Sequence, residues 1–150
     1  MPQSFACIYI HLIFSTKDRM DWIREDWEIE LHRYFAGTLR NQGNKLIEAG
    51  GTPNHVHLLF SMAKQTSISD VVRDLKSNSS GWIHRDVPEC REFAWQVGYA
   101  AFSVSFSAIE DVQTYIRNQK DHHRIKTFQE ELLAFLEKHQ VEYDPKYVFE

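Results

Sequence analysis

Two histidines separated by one residue, His55 and His57, stand at the head of an apolar run that includes Val56, Leu58 and Phe60, directly after Gly50, Gly51, Pro53 and Asn54. Residues two apart on an extended strand project from the same face, so the two imidazoles lie side by side while Val56, Leu58 and Phe60 turn the other way. Paired imidazoles at this spacing suit a metal ion. The alternative is two histidines that pack or meet water. Which reading holds depends on whether the chain supplies a third ligand and a reactive group. Tyr115 and Gln119 stand one helical turn apart, with His122 beyond. His11 lies among apolar neighbours, where it either faces the same site or is a core histidine.

The elements that must position these residues follow from pattern. Residues 5–15 are aromatic and β-branched, free of Gly and Pro, and read as a first strand. Trp27, Leu31, Tyr34, Phe35 and Leu39 recur at helical spacing with Gly43 as a stop, which predicts an amphipathic helix over 25–41. Residues 45–49 form a short strand that makes a hairpin with the histidine strand. Ser67 is a candidate N-cap with Asp70 at the capping-box position, and Ile68, Val71, Val72 and Leu75 give a stripe continuing to Trp82 and Ile83. After a charged loop over 85–92, residues 93–104 read as a fourth strand. Ser107 with Glu110 predicts the cap of a helix whose stripe is Ile109, Val112 and Ile116, and residues 127–138 a second helix burying Phe128, Leu132, Phe135 and Leu136. The tail at 143–149 carries three aromatics that pack on this domain or on a second copy.

The order β-α-β-β-α-β with added helices predicts an α+β, ferredoxin-like antiparallel sheet, with helices on one face, the other face left free for a partner, and C-terminal helices carrying the tyrosine. At 150 residues the chain reads as a single domain, 1–150. No apolar run suits a membrane helix, and no charged-then-apolar leader opens the sequence, so a cytoplasmic protein with no membrane partner is expected. Cys7 and Cys90 lack a framework spacing and read as reduced thiols. The formal charge of −4 excludes a protein that coats nucleic acid by bulk electrostatics, so such a partner must meet a local basic patch. Lys17 and Arg19, Arg73 and Lys76, and Arg117, Lys120 and Arg124 are the candidate phosphate contacts, with a solvated surface as the alternative. His122 and His123 read as surface residues.

Three segments taken together carry a resemblance: His-Leu-Ile-Phe-Ser-Thr-Lys from His11, Pro-Asn-His-Val-His-Leu-Leu from Pro53, and Tyr-Ile-Arg-Asn-Gln from Tyr115. In this order, over nearly the whole chain, they resemble the single-tyrosine HUH transposases, which include the transposases of single-strand insertion sequences and the REP-associated tyrosine transposases. Asn54 stands where an aspartate is common in that family, a change expected to tune metal affinity and not abolish it.

The resemblance implies a metal-dependent strand transferase that cleaves and rejoins single-stranded DNA beside a hairpin, with Tyr115 as nucleophile and a 5′-phosphotyrosine intermediate. It implies a divalent ion, Mg²⁺ with Mn²⁺ also competent, held by His55, His57 and Gln119. It further implies a homodimer in which the tyrosine helix can complete the partner's site. The residues themselves show no base for the Tyr115 proton. A host-serving nuclease at repeated palindromes and a non-catalytic ferredoxin-like nucleic-acid-binding module are the alternatives.

Overall fold

A computed structural model describes residues 2–150. Four strands form one antiparallel sheet in the order β2-β3-β1-β4: β1 is Tyr9–Ser15, β2 Lys45–Thr52, β3 His55–Ser61 and β4 Ala100–Val104. The helices are α1 (Glu25–Asn41), α2 (Ile68–Asp86), α3 (Ile109–Arg117), α4 (Gln119–His122) and α5 (Phe128–Lys138). Strand order and connections are those of the split βαβ plan.

Alternation divides the two faces. Ile10, Leu12 and Phe14 of β1 and Val56, Leu58 and Phe60 of β3 point to one side, where Leu31, Phe35 and Leu39 of α1 and Val71, Leu75 and Ile83 of α2 close the main core. Lys76 is held against this layer, and Ser79 places a polar atom within it. The Ser79 hydroxyl donates to the Leu75 carbonyl and accepts from Trp95 Nε1–H at 3.0 Å, so the buried indole is satisfied. The α2 cap is as expected: Ser67 Oγ accepts from Asp70 N–H.

The opposite face is not free. Ile13 and Phe102 pack against Phe128, Leu132 and Leu136 of α5, with Val148 and Phe149 of the tail beside them. His11, His55 and His57 share this second face. The chain therefore covers with its own C-terminal helices the surface that the strand pattern assigned to a partner.

Three further boundaries differ from pattern. Residues 5–7 are exposed and outside the sheet, because the partner strands β3 and β4 end at Ser61 and Val104, opposite Tyr9. The expected fourth strand is regular only over Ala100–Val104; upstream, Trp95 makes an isolated bridge to Thr16. Ser107 does not cap α3: a tight turn over Phe106–Ala108 precedes the helix, and the Ser107 hydroxyl meets Ser105 instead.

The β2–β3 turn is clamped from below. The Pro53 carbonyl accepts from Trp22 N–H and Ile23 N–H, and the Asn54 carbonyl from Thr16 N–H, so the two-residue turn before His55 is tied to the exit of β1 and the approach to α1. That fixes where β3 begins. Cys7 is exposed and Cys90 buried, both as free thiols. Among the described residues no helix is long and apolar enough to cross a membrane.

Candidate functional site

His55 and His57 are fully buried on the sheet face covered by α3, α4 and α5, and Gln119 is fully buried above them. β3 supplies the imidazoles, the start of α4 supplies Gln119, and the end of α3 supplies half-buried Tyr115. Helical geometry is interrupted at Asn118, so Tyr115 and Gln119 belong to separate helices although both reach the same site. α3 comes close because Gly50 has no side chain: a Cβ there would stand 2.5 Å from the Ile116 carbonyl oxygen.

Each histidine is oriented by its second ring nitrogen. Asn54 Oδ1 accepts from the Thr52 hydroxyl at 3.0 Å, and both groups meet His55 Nδ1 at 2.8 Å; with the proton on Nδ1, His55 Nε2 has a lone pair to offer a cation. His57 Nδ1 shares a proton with His11 Nε2 at 2.8 Å. Of the two readings of His11, core residue or site residue, the structure has the second: its ring faces the site and supports His57. Burial pushes the imidazoles of His11 and His55 down to about 3, and the neighbouring His57 adds to this. Both rings are neutral at physiological pH.

At the centre lies Glu131 of α5, only 2% exposed. Its Oε1 stands 2.9 Å from His57 Nε2, 3.2 Å from His123 Nε2 and 3.5 Å from His55 Nε2. Its Oε2 accepts from the Tyr115 hydroxyl and, at 3.1 Å, from the Gln119 amide. Burial by itself would raise this carboxyl; the close imidazoles of His123 and His57 and the Tyr115 hydroxyl outweigh it and hold Glu131 well below the usual carboxylate range. The Tyr115 phenol is pushed above its ordinary value, first by burial and then by the bonded Glu131 anion. At rest the proton sits on the tyrosine.

Several nitrogen and oxygen donors converge here. His55 Nε2 lies 3.1 Å from Gln119 Oε1, His57 Nε2 lies 2.9 Å from Glu131 Oε1, and His123 Nε2 is buried without a well-directed hydrogen bond among the described residues. Imidazole nitrogens and a carboxylate gathered this closely suit a cation among them. The side chains of His55, His57, His123 and Glu131 each present one donor atom, all within 4.8 Å of one another. The residues fit a divalent ion.

A cleft of about 440 Å³ opens beside Tyr115, His11, His122 and Glu131, with Lys126 and Lys138 on its walls.

Comparison with known proteins decides the family. Residues 4–119 match the family described as "Transposase IS200 like". The chain belongs to that family. It is similar to the ISDra2 transposase TnpA of Deinococcus radiodurans, 28% identical over 116 residues that cover 74% of this chain and 83% of that protein. Its fold is similar to the crystal structure of a putative transposase from Deinococcus radiodurans R1, with a TM-score of 0.65 and 25% identity over 79% of this chain and 98% of that one. It is also similar to a REP-associated tyrosine transposase solved bound to a REP hairpin, with a TM-score of 0.61 and 11% identity over 82% of this chain and 73% of that one.

The match to the IS200-like transposases ends at Gln119, the residue facing His55 Nε2. His123 and Glu131 lie beyond it. Sequence reasoning placed His123 on the surface and gave Glu131 no role. The signal was available in part: Glu131 occupies the stripe between Phe128 and Leu132 that faces the sheet, and a carboxylate buried there requires partners.

The expected phosphate contacts scatter. Lys76 Nζ donates to the carbonyls of Gln96, Val97 and Gly98 at 2.8, 3.2 and 2.7 Å, and burial pushes it down to about 8, so it braces the loop before β4 and is not available to a phosphate. Arg73 lies on α2, across the sheet from Tyr115, paired with Asp70 and Asp74. Arg19 donates to the Phe149 carbonyl at 2.8 Å and lies over that ring, drawing the tail against the exit of β1. Arg117 pairs with Glu48, Lys120 with Glu28 and Arg124 with Asp121. These are exposed pairs of little strength, readily exchanged for a phosphate. Lys17 is exposed at the foot of β1.

Proposed function

We propose that this transposase-family chain cleaves and rejoins single-stranded DNA beside a hairpin through a 5′-phosphotyrosine on Tyr115. One observation carries the reading: a tyrosine hydroxyl is bonded to one oxygen of Glu131, while the other oxygen faces His55, His57 and His123. Nucleophile, proton acceptor and cation donors occupy one site.

His55, His57 and Gln119 would hold a divalent ion, Mg²⁺ or Mn²⁺. When bound, the ion neutralises charge on the scissile phosphate and on the phenolate. A DNA strand entering the cleft places its phosphate against Tyr115, with Lys126 and Lys138 on the walls, while Arg117, Lys120 and Arg124 on the β2 and α1 side would hold phosphates farther along the strand. Tyr115 Oη attacks phosphorus as its proton passes to Glu131 Oε2; the P–O3′ bond breaks and the 3′ oxygen leaves, taking up a proton. Attack by another 3′-hydroxyl reverses the sequence and returns the proton to Tyr115, so rejoining needs no ATP. Hairpin recognition is supported by the shared fold with the transposase solved on a REP hairpin. A homodimer is implied by the resemblance, yet one chain here brings Tyr115 to its own histidines. The cytoplasm, where the DNA lies, is the compartment this chemistry requires.

The test is incubation of the chain with hairpin oligonucleotides bearing 5′ or 3′ single-stranded flanks and Mg²⁺ or Mn²⁺, followed by denaturing electrophoresis. A covalent protein–DNA adduct that EDTA and Tyr115→Phe both abolish is expected. Hairpin binding with no adduct under any of these conditions supports the non-catalytic nucleic-acid-binding module.

A further inference from the structure

The donors around His55 and His57 include two side chains from outside the segment shared with the family. His123 follows α4 and Glu131 lies on α5, past the end of the match at Gln119. Both turn inward. His123 Nε2 is a buried nitrogen without a hydrogen-bond partner among the described residues, and its ring lies 4.4 Å from that of His55. Glu131 Oε1 stands between 2.9 and 3.5 Å from three imidazole nitrogens, a separation that donors sharing one ion also have: at about 2.1 Å from a metal, tetrahedral ligands stand about 3.4 Å apart.

Resting on the reading above, we infer that His123 and Glu131 are metal ligands, and that with His55 and His57 they make a site of three imidazoles and one carboxylate selective for an imidazole-preferring divalent ion, Mn²⁺ or Zn²⁺, over Mg²⁺. Mg²⁺ holds water and oxygen ligands and is poorly served by three nitrogens. Mn²⁺ and Zn²⁺ accept imidazole readily, and affinity at such sites rises toward Zn²⁺. Glu131 divides its oxygens: Oε1 faces the donor cluster, and Oε2 keeps Tyr115 and Gln119.

Calorimetric titration of the full chain with Mn²⁺, Zn²⁺ and Mg²⁺, without DNA, tests this. One site is expected, with Mn²⁺ bound about tenfold or more tightly than Mg²⁺. His123→Ala and Glu131→Gln should each weaken Mn²⁺ about tenfold or more while far-ultraviolet circular dichroism stays unchanged. An independent readout covers variants that lose the fold: in wild-type chain labelled with ¹⁵N-histidine, Zn²⁺ should move the His123 Nε2 resonance to that of a metal-bound nitrogen. If Mn²⁺ and Mg²⁺ bind equally, or His123 Nε2 does not shift, the four-ligand site is wrong, while adduct formation at Tyr115 with either ion still upholds the strand-transfer reading. If no adduct forms yet the metal titrates as stated, the strand-transfer reading fails and the metal site stands.

Discussion

Tyr115 and Glu131 meet across two helices, α3 and α5, that pack on the same sheet face, the phenol donating to Glu131 Oε2. Because the carboxylate is bonded to the proposed nucleophile itself, the two substitutions should separate. Tyr115→Phe removes the reacting atom and abolishes the DNA adduct. Glu131→Gln leaves the reacting atom in place but removes the proton acceptor, and adduct formation should slow by about 10²–10⁴-fold. Single-turnover assays at saturating metal measure both, and an unchanged rate in Glu131→Gln would show that another group takes the proton.

His11 supports His57 through its Nδ1. When Nε2 of His57 binds a metal, the proton must lie on Nδ1, and His11 must accept it. His11→Phe retains the ring's bulk and its packing against Phe135 but removes that acceptor. Metal affinity should fall by about 10–100-fold with the fold intact, as read by calorimetry and circular dichroism.

Neutral His11 and His55 make stability depend on pH. Their rings are held at about 3 in the folded chain, against about 6.5 unfolded. Between these values the unfolded chain takes up protons that the folded chain refuses, so stability falls as pH is lowered through this window. The loss is about 1.4 kcal/mol per pH unit for each group at most. Glu131, held low, adds a loss in the same direction below about pH 4.3, where its unfolded carboxyl takes up a proton. Urea unfolding in EDTA at pH 7, 6 and 5 should show the decline, with a shallower slope in His11→Phe. A flat profile would mean that these rings are protonated in the folded chain.

Gly50 sets the distance between β2 and α3. In Gly50→Ala the new Cβ meets the Ile116 carbonyl at 2.5 Å and the Ile116 Cγ2 at 2.9 Å, and neither can give without moving the helix that carries Tyr115. A stability loss of about 1–3 kcal/mol is expected, with adduct formation reduced by about 10²-fold even where the protein stays folded. Thermal melts and adduct yields from the same preparation compare the two.

Much of this arrangement was legible because it is written in local period. Alternation over Val56, Leu58 and Phe60 separates the core face from the histidine face, and the Ser67 cap lies where its hydroxyl indicates. The segments at His11, Pro53 and Tyr115, taken in order, already resembled the family before any contact was known. What pattern did not yield depends on contacts distant in sequence. Glu131 is 74 residues from His57, and a single acidic residue on an amphipathic helix gives no sign of which elements pack over it. Lys76 among small polar residues resembles a phosphate contact until the loop carbonyls before β4 close on it. The second sheet face was expected to be open because helix α5 has no place in a four-strand, two-helix plan.

The interruption at Asn118 separates two tasks that a continuous helix would have joined. Under the proposed mechanism the tyrosine, once bonded to a 5′ phosphate, would travel with the DNA strand, whereas the Gln119 amide sits among the buried imidazoles. A break between the two helices would give α3 a place to part from α4, so strand exchange would leave the pocket assembled.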